Sequence, residues 1–326
     1  YINHLNQSKI DVSKSAISYL TPWAETPGYG NLLLKINFFK YFIKNIKIKM
    51  KYFLATINCF CYIKLDYANN NYFEKIIITW AKKNDFDKEG NYIDRYFKIS
   101  NEDINNTLWY IIYLDKELPK IKKKNIKIIY KSNISLIKKL TKFLYYLIIE
   151  IFSNRFSIIK IIHYINSLSV FGNILFHFIQ KDYENLNLKK IIVPYEGQPF
   201  QNIIFKNFKK LDSGIKTIGY SHSALLPLPL NMLHRDGAPE KLVVSGESQK
   251  EYLINNLSWP PNSIDIIPSL RYRINDSENI EGFVFFPYFI NSVDKIVQEF
   301  EYFLESSQIS SLNKLSIRNH PSKLKS

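Results

Sequence analysis

Residues 188–223 read LKKIIVPYEGQPFQNIIFKNFKKLDSGIKTIGYSHS, and this stretch decides the fold. Leu188 to Tyr195 is a short apolar run with β-branched residues, bounded by Pro194 and Gly197, which is the pattern of a buried strand. Phe200, Ile203, Ile204, Phe205 and Phe208 then recur at helical spacing, ending at Lys209-Lys210 and the stop signal Ser213-Gly214. Ile215 to Tyr220 is a second strand-like run, so the unit is β-α-β. Glu196 falls just past the carboxyl end of the first strand, and His222 at the equivalent place after the second. Ligands of open parallel sheets bind at those ends, so a carboxylate and an imidazole are expected to face one crevice.

Working outward towards the N-terminus, Lys75–Trp80, Leu108–Leu114 and Ile126–Tyr130 read as strands. A polar loop, Lys82 to Asn91, follows the first, and the lysine-rich connection Lys116 to Lys124 separates the other two. Ile134 to Ile179 is long, apolar and helical in pattern, with breaks expected near Ser153-Asn154 and Gly172. Within it, Ile161 to Gln180 lacks Asp, Glu, Lys and Arg but carries His163, Asn166, Ser167, Asn173 and His177. That polar content predicts a buried or groove-lining helix and not a lipid-facing span. Towards the C-terminus, Pro227 and Pro229 mark an extended stretch, and His234, Arg235 and Asp236 read as a solvated polar loop. Strand Lys241–Ser245, helix Glu247–Leu257 and strand Ile264–Ile267 continue the alternation, which predicts a doubly wound α/β layer.

The domain organisation follows from these runs. Residues 1–74 form a lead-in whose Asn31–Tyr52 segment, with six lysines among aromatics and aliphatics, predicts a basic amphipathic helix. Residues 75–274 form a Rossmann-like domain, and the acidic stretch 275–282 is a linker. A fresh unit over 283–326 has strand Phe283–Phe286, helix Val293–Leu304 and strand Leu315–Ile317, followed by Arg318-Asn319-His320-Pro321. The chain starts at Tyr1 and stops inside this unit, so it reads as a fragment with an incomplete second Rossmann-type domain.

Over 326 residues, 46% hydrophobic, 15% aromatic and 22% charged content excludes a disordered chain. The net charge of +15 points to phosphate-rich partners: nucleic acid, anionic lipid or a nucleotide-activated substrate. The simpler account is an AT-rich coding bias, since Lys, Asn, Ile, Tyr and Phe are all abundant and the lysines are dispersed. No RNA-binding aromatic signature or zinc knuckle is present, which leaves nucleic acid as the weakest of the three. Cys59 and Cys61 lie in an apolar stretch without further ligand residues, so they read as buried thiols of a reducing compartment, with no metal site. The expected location is cytoplasmic, with peripheral contact to an anionic membrane surface.

Two short motifs carry a resemblance: Tyr195-Glu196-Gly197 in the first half and His320-Pro321 in the second. In this order, one in each α/β unit, they resemble the acidic-Gly and His-Pro motifs of bacterial GT-B glycosyltransferases that use CMP-activated sugars. Those are the sialyltransferases and the related Kdo transferases of surface-polysaccharide assembly. Gly219-Tyr220-Ser221-His222, Val243 to Gly246 and Pro268 to Tyr272 are similar to the strand-end series of surface-carbohydrate biosynthesis proteins. The likeness covers residues 188–326. The sialyltransferase motif has two acidic residues before its glycine, where this chain has Tyr195 first; Gln198-Pro199 is similar to a Gln-Pro element of the Kdo transferases.

The resemblance implies a GT-B-like pair of Rossmann-type domains, a CMP-sugar donor, and a glycan or lipid-linked glycan acceptor, with no cofactor. It implies Glu196 as the base for an acceptor hydroxyl, with Tyr195, Gly197 and Gln198 near the substrate. It also implies that His320, Pro321, Arg318 and Asn319 hold the donor phosphate. Chemically, a crevice carboxylate suits proton abstraction, and fixed donors suit a leaving phosphate. A CDP-glycerol-type glycerophosphotransferase, with His222 as base and His320 as phosphate ligand, is the alternative. A nucleic-acid-binding protein and a non-catalytic scaffold of polysaccharide export are further readings. The simplest account of Glu196 is a cap on the helix that follows it.

Overall fold

The computed structural model describes residues 46–67, 73–97, 107–122, 124–153, 167–183, 186–222 and 230–270, then 283–285, 298, 301, 302, 305 and 315–317. The chain divides into two compact units, Tyr1–Arg273 and Ile274–Ser326. In the first, helix α1 (Ile46–Cys59) leads into strands β1 (Tyr62–Asp66), β2 (Lys75–Ala81), β3 (Leu108–Tyr113) and β4 (Ile126–Lys131). Helices α2 (Leu136–Ser153) and α3 (Ser167–Tyr183) precede β5 (Lys190–Pro194), α4 (Pro199–Leu211) and β6 (Lys216–Tyr220). Strand β7 (Lys241–Val244), helix α5 (Glu247–Leu257) and strand β8 (Ile264–Ile266) complete it.

These strands form one eight-stranded sheet in the order β1-β4-β3-β2-β5-β6-β7-β8. Every described pairing is parallel except β1 with β4. From β4 to β7 the order is that of a Rossmann-like α/β fold: the chain steps outward from β2 in one direction, then returns beside β2 with β5 and steps outward in the other. The boundary between β2 and β5 is therefore the topological switch point. The central strands are buried on both sides, as their continuous apolar runs require; all six residues of β3 are buried.

One face of the sheet meets the helices. Ile76, Ile78, Tyr110, Ile191 and Val193 share a core with residues of all five described helices. The other face carries Ile77, Trp109, Ile111 and Ile128, and it is covered by Phe86, Tyr92 and Phe97 from the connection after β2. Among the described residues, the second face is thus covered by a loop segment, where the doubly wound expectation has a helix.

Two further differences have physical causes. The break expected at Gly172 is absent, because the glycine lies inside α3 at a close crossing with α4: a Cβ there would be 2.8 Å from the Phe200 Cα. Strand β1, YIKLD, was not anticipated; its Lys64 and Asp66 suit an antiparallel edge strand. Its lysine reaches Asp182 of α3 at 2.5 Å, and Lys127 of β4 meets Asp66 at 2.5 Å and Asp182 at 3.2 Å. The expected helix over Asn31–Tyr52 falls largely outside the described residues, and α1 runs on to Cys59.

Cys59 and Cys61 are free and buried. Cys59 Sγ donates to the Ser167 carbonyl at 3.2 Å, so the end of α1 is pinned to the start of α3. Burial pushes its thiol up to about 12, against the opposing charge of Lys131.

In the second unit β9 (Phe283–Phe285) pairs in parallel with β10 (Leu315–Ile317), and the described residues 298, 301, 302 and 305 between them are helical. Arg318, Asn319, His320 and Pro321 lie outside the described residues. No helix among the described residues is long and apolar enough to cross a membrane.

Candidate functional site

The register of β5 and β6 pairs Pro194 with Tyr220, so two residues later Glu196 and His222 leave the sheet side by side. The Glu196 Oε1 stands 3.6 Å from the His222 Nε2, within ion-pair range though long for a hydrogen bond. The carboxylate side chain is 41% exposed and the imidazole only 12%. The carboxylate is thus the member of the pair that an incoming hydroxyl can reach.

The turn that carries Glu196 is clamped from two sides. From within α4, Gln201 Oε1 accepts from the Glu196 N–H at 3.1 Å and the Gln198 N–H at 2.9 Å, while Gln201 Nε2 donates to the Pro194 carbonyl at 2.6 Å. Pro199 opens α4 at a position where a missing N–H costs nothing. From outside, Asn231 Nδ2 donates to the Glu196 carbonyl, and Arg235 Nη2 donates to the Gly197 carbonyl at 2.6 Å and the Asn231 carbonyl at 3.1 Å. The Asn202 amide turns its oxygen to Arg235, 3.0 Å from Nε and 2.9 Å from Nη2, and its nitrogen to the Tyr195 hydroxyl at 2.8 Å.

Gln198 Nε2 donates to Glu196 Oε2 at 2.7 Å. One carboxylate oxygen is therefore held by an amide and the other faces the imidazole. The helix after Glu196 is capped by Gln198 and Gln201, so the carboxylate is not spent as a cap.

Across the switch point, an aromatic row lines the approach. Trp80, near the end of β2, meets Phe200 edge-on at 5.7 Å and Tyr96 at 6.4 Å, and Tyr96 meets the His222 ring at 5.0 Å with the planes at 90°. These contacts fix the imidazole plane, and they bring the carboxyl ends of β2, β5 and β6 to one place.

Of the residues the sequence nominated, Glu196, Gly197, Gln198 and His222 come together here. Tyr195, expected near substrate, is instead a core residue: its ring packs on Phe205 and Trp259, and its hydroxyl belongs to the Asn202 and Arg235 network. Burial pushes its phenol up to about 12, with Arg235 opposing, so it stays neutral near neutral pH. Strand alternation accounts for this, since Ile191, Val193 and Tyr195 share the helix-facing side. Arg318, Asn319, His320 and Pro321 fall outside the described residues.

Sequence reasoning passed over Trp80, Tyr96, Gln201, Asn202, Asn231 and Arg235. Arg235, read as solvated, is the brace of the Glu196 turn. A concavity of about 790 Å³ lies beside Arg235, lined by Lys206, Lys209, Lys210, His234 and Glu240. It sits by the amino ends of β7 and β8, and its Asp236 is paired with Lys206. The acid-base pair is therefore not in it. No known protein family matches the chain, and no curated protein matches it significantly.

Proposed function

We propose that this chain is a transferase acting on a nucleotide-activated donor: a glycosyltransferase that moves a nonulosonic-type sugar, sialic-acid-like or Kdo, from CMP to a surface glycan or lipid-linked glycan acceptor. The observation that carries the reading is the pairing of the part-exposed Glu196 carboxylate with the His222 imidazole at the carboxyl ends of β5 and β6. That is where open parallel sheets bind ligands. In this reading the fold is GT-B-like, and Arg318, Asn319, His320 and Pro321 hold the donor phosphate. The enzyme works in the cytoplasm at the inner face of the plasma membrane.

Glu196 takes the proton of the acceptor hydroxyl as that oxygen bonds to the anomeric carbon. The bond from that carbon to the phosphate oxygen breaks, and CMP leaves with the electron pair. Gln198 and the His222 ring hold the carboxylate in place, and Gly197 keeps the turn free of a side chain. A base so placed contributes typically 10²–10⁴-fold.

A second reading has one observation in its favour: a carboxylate beside an imidazole is also how an orienting acid holds a histidine base. There the substrate is a CDP-glycerol-type donor and His222 takes the proton. Release of CMP in the presence of acceptor, measured for Glu196→Gln and His222→Ala, separates the two. The first reading expects Glu196→Gln to lose about 10³-fold and His222→Ala clearly less. The reverse order selects the second, and absence of binding to CMP and CDP alike removes both.

A further inference from the structure

Helix α2 buries one side and leaves the other bare. Phe143 is buried against Phe53 and Phe60, with ring centroids 5.5 and 6.1 Å away, and Leu140, Tyr146 and Leu147 pack on the same core. The opposite side shows Ile137, Leu144, Tyr145, Ile148, Ile149 and Phe152, of which Ile137 is 75% exposed, Tyr145 69% and Phe152 68%. From Leu144 to Phe152 they recur at the three- and four-residue spacing of one helix face, and Ile137 lies two turns earlier on that face with Thr141 between. Soluble proteins seldom leave so continuous an apolar strip without a use for it.

The charges along the strip identify what it meets. Lys138 and Lys142, one turn apart and exposed, border it on one side. A second copy of the same face would bring the same two lysines against them. A bilayer with anionic headgroups supplies both an apolar layer for the strip and phosphates for the lysines.

We propose that the bare face of α2 is an in-plane docking surface for an anionic lipid bilayer. The proposal does not depend on the transfer chemistry, and its test requires no activity.

The full chain is floated with vesicles of phosphatidylglycerol and phosphatidylcholine in equal parts, and with phosphatidylcholine alone. The expected result is binding to the mixed vesicles at least about tenfold above that to phosphatidylcholine alone. Tyr145→Glu with Ile149→Glu should lower binding to the mixed vesicles by about tenfold or more with an unchanged melting temperature, because both positions are exposed. Lys138→Glu with Lys142→Glu should remove the preference for phosphatidylglycerol. Absence of flotation overturns the proposal, as does a Tyr145/Ile149 variant that floats like the parent. A dimer in sedimentation that the same variant dissolves, without vesicle binding, overturns it in favour of a second copy.

Discussion

At Gly197 the backbone takes φ +69°, and a Cβ there would stand 1.9 Å from the Asn231 carbonyl oxygen. Both facts follow from the clamp: the turn is drawn so tightly against Asn231 and Arg235 that only hydrogen fits. Gly197→Ala combines a left-handed backbone with a displaced Asn231 and should cost about 3 kcal/mol in chemical unfolding, with loss of CMP release as the Glu196 turn shifts. A variant that melts like the parent would show that the clamp yields freely. This much of the site was legible in the sequence because strand ends are legible: a Pro-x-Glu-Gly and a Tyr-x-His sit where apolar runs stop. The bracing residues were not, because Asn231 and Arg235 reach the turn from a connection whose path only the fold determines.

One carboxylate of helix α3 ties it to three strands of the sheet. Asp182 accepts from Lys64 of β1 and from the Tyr110 hydroxyl of β3, and lies 3.2 Å from Lys127 of β4. Burial alone would raise its pKa, but the hydrogen bonds from Lys64 and Tyr110 and the charges of Lys127 and Lys64 outweigh it and hold the carboxyl below its ordinary 3.8. The unfolded chain therefore takes up this proton first on acidification. The stability Asp182 contributes is complete above about pH 4, and is lost as the pH falls through the lowered folded value. Asp182→Asn should cost about 2 kcal/mol near neutrality and flatten the acid limb of a stability-against-pH curve. An unchanged limb would assign that limb to other carboxylates. At this scale the helices were legible as apolar periodicity, but α2 is apolar on most of its circumference, so its pattern could not say which side is buried. Gly172 misled for the opposite reason: a glycine that stops a helix and one that lets two helices touch look alike in a single sequence.

For the molecule as a whole, the alternation of strands and helices was enough to give a parallel α/β layer. The order of the strands was not readable, because it depends on which side of β2 the chain returns to after α3. Nor was β1, a short charged strand that pairs antiparallel with β4 across two intervening strands in sequence. Above the sheet, one sulfur joins two helices that are distant in sequence. With its acidity suppressed and its Sγ engaged by Ser167, Cys59 can be alkylated only while α1 and α3 are apart. Maleimide uptake at Cys59 should therefore run orders of magnitude below that of an unfolded control and accelerate in mild denaturant before far-ultraviolet dichroism changes. Labelling at the control rate would mean that the seam stands open. The thiol is in effect a clock wound by the fold, counting how often the helical layer parts while the sheet beneath it stays intact.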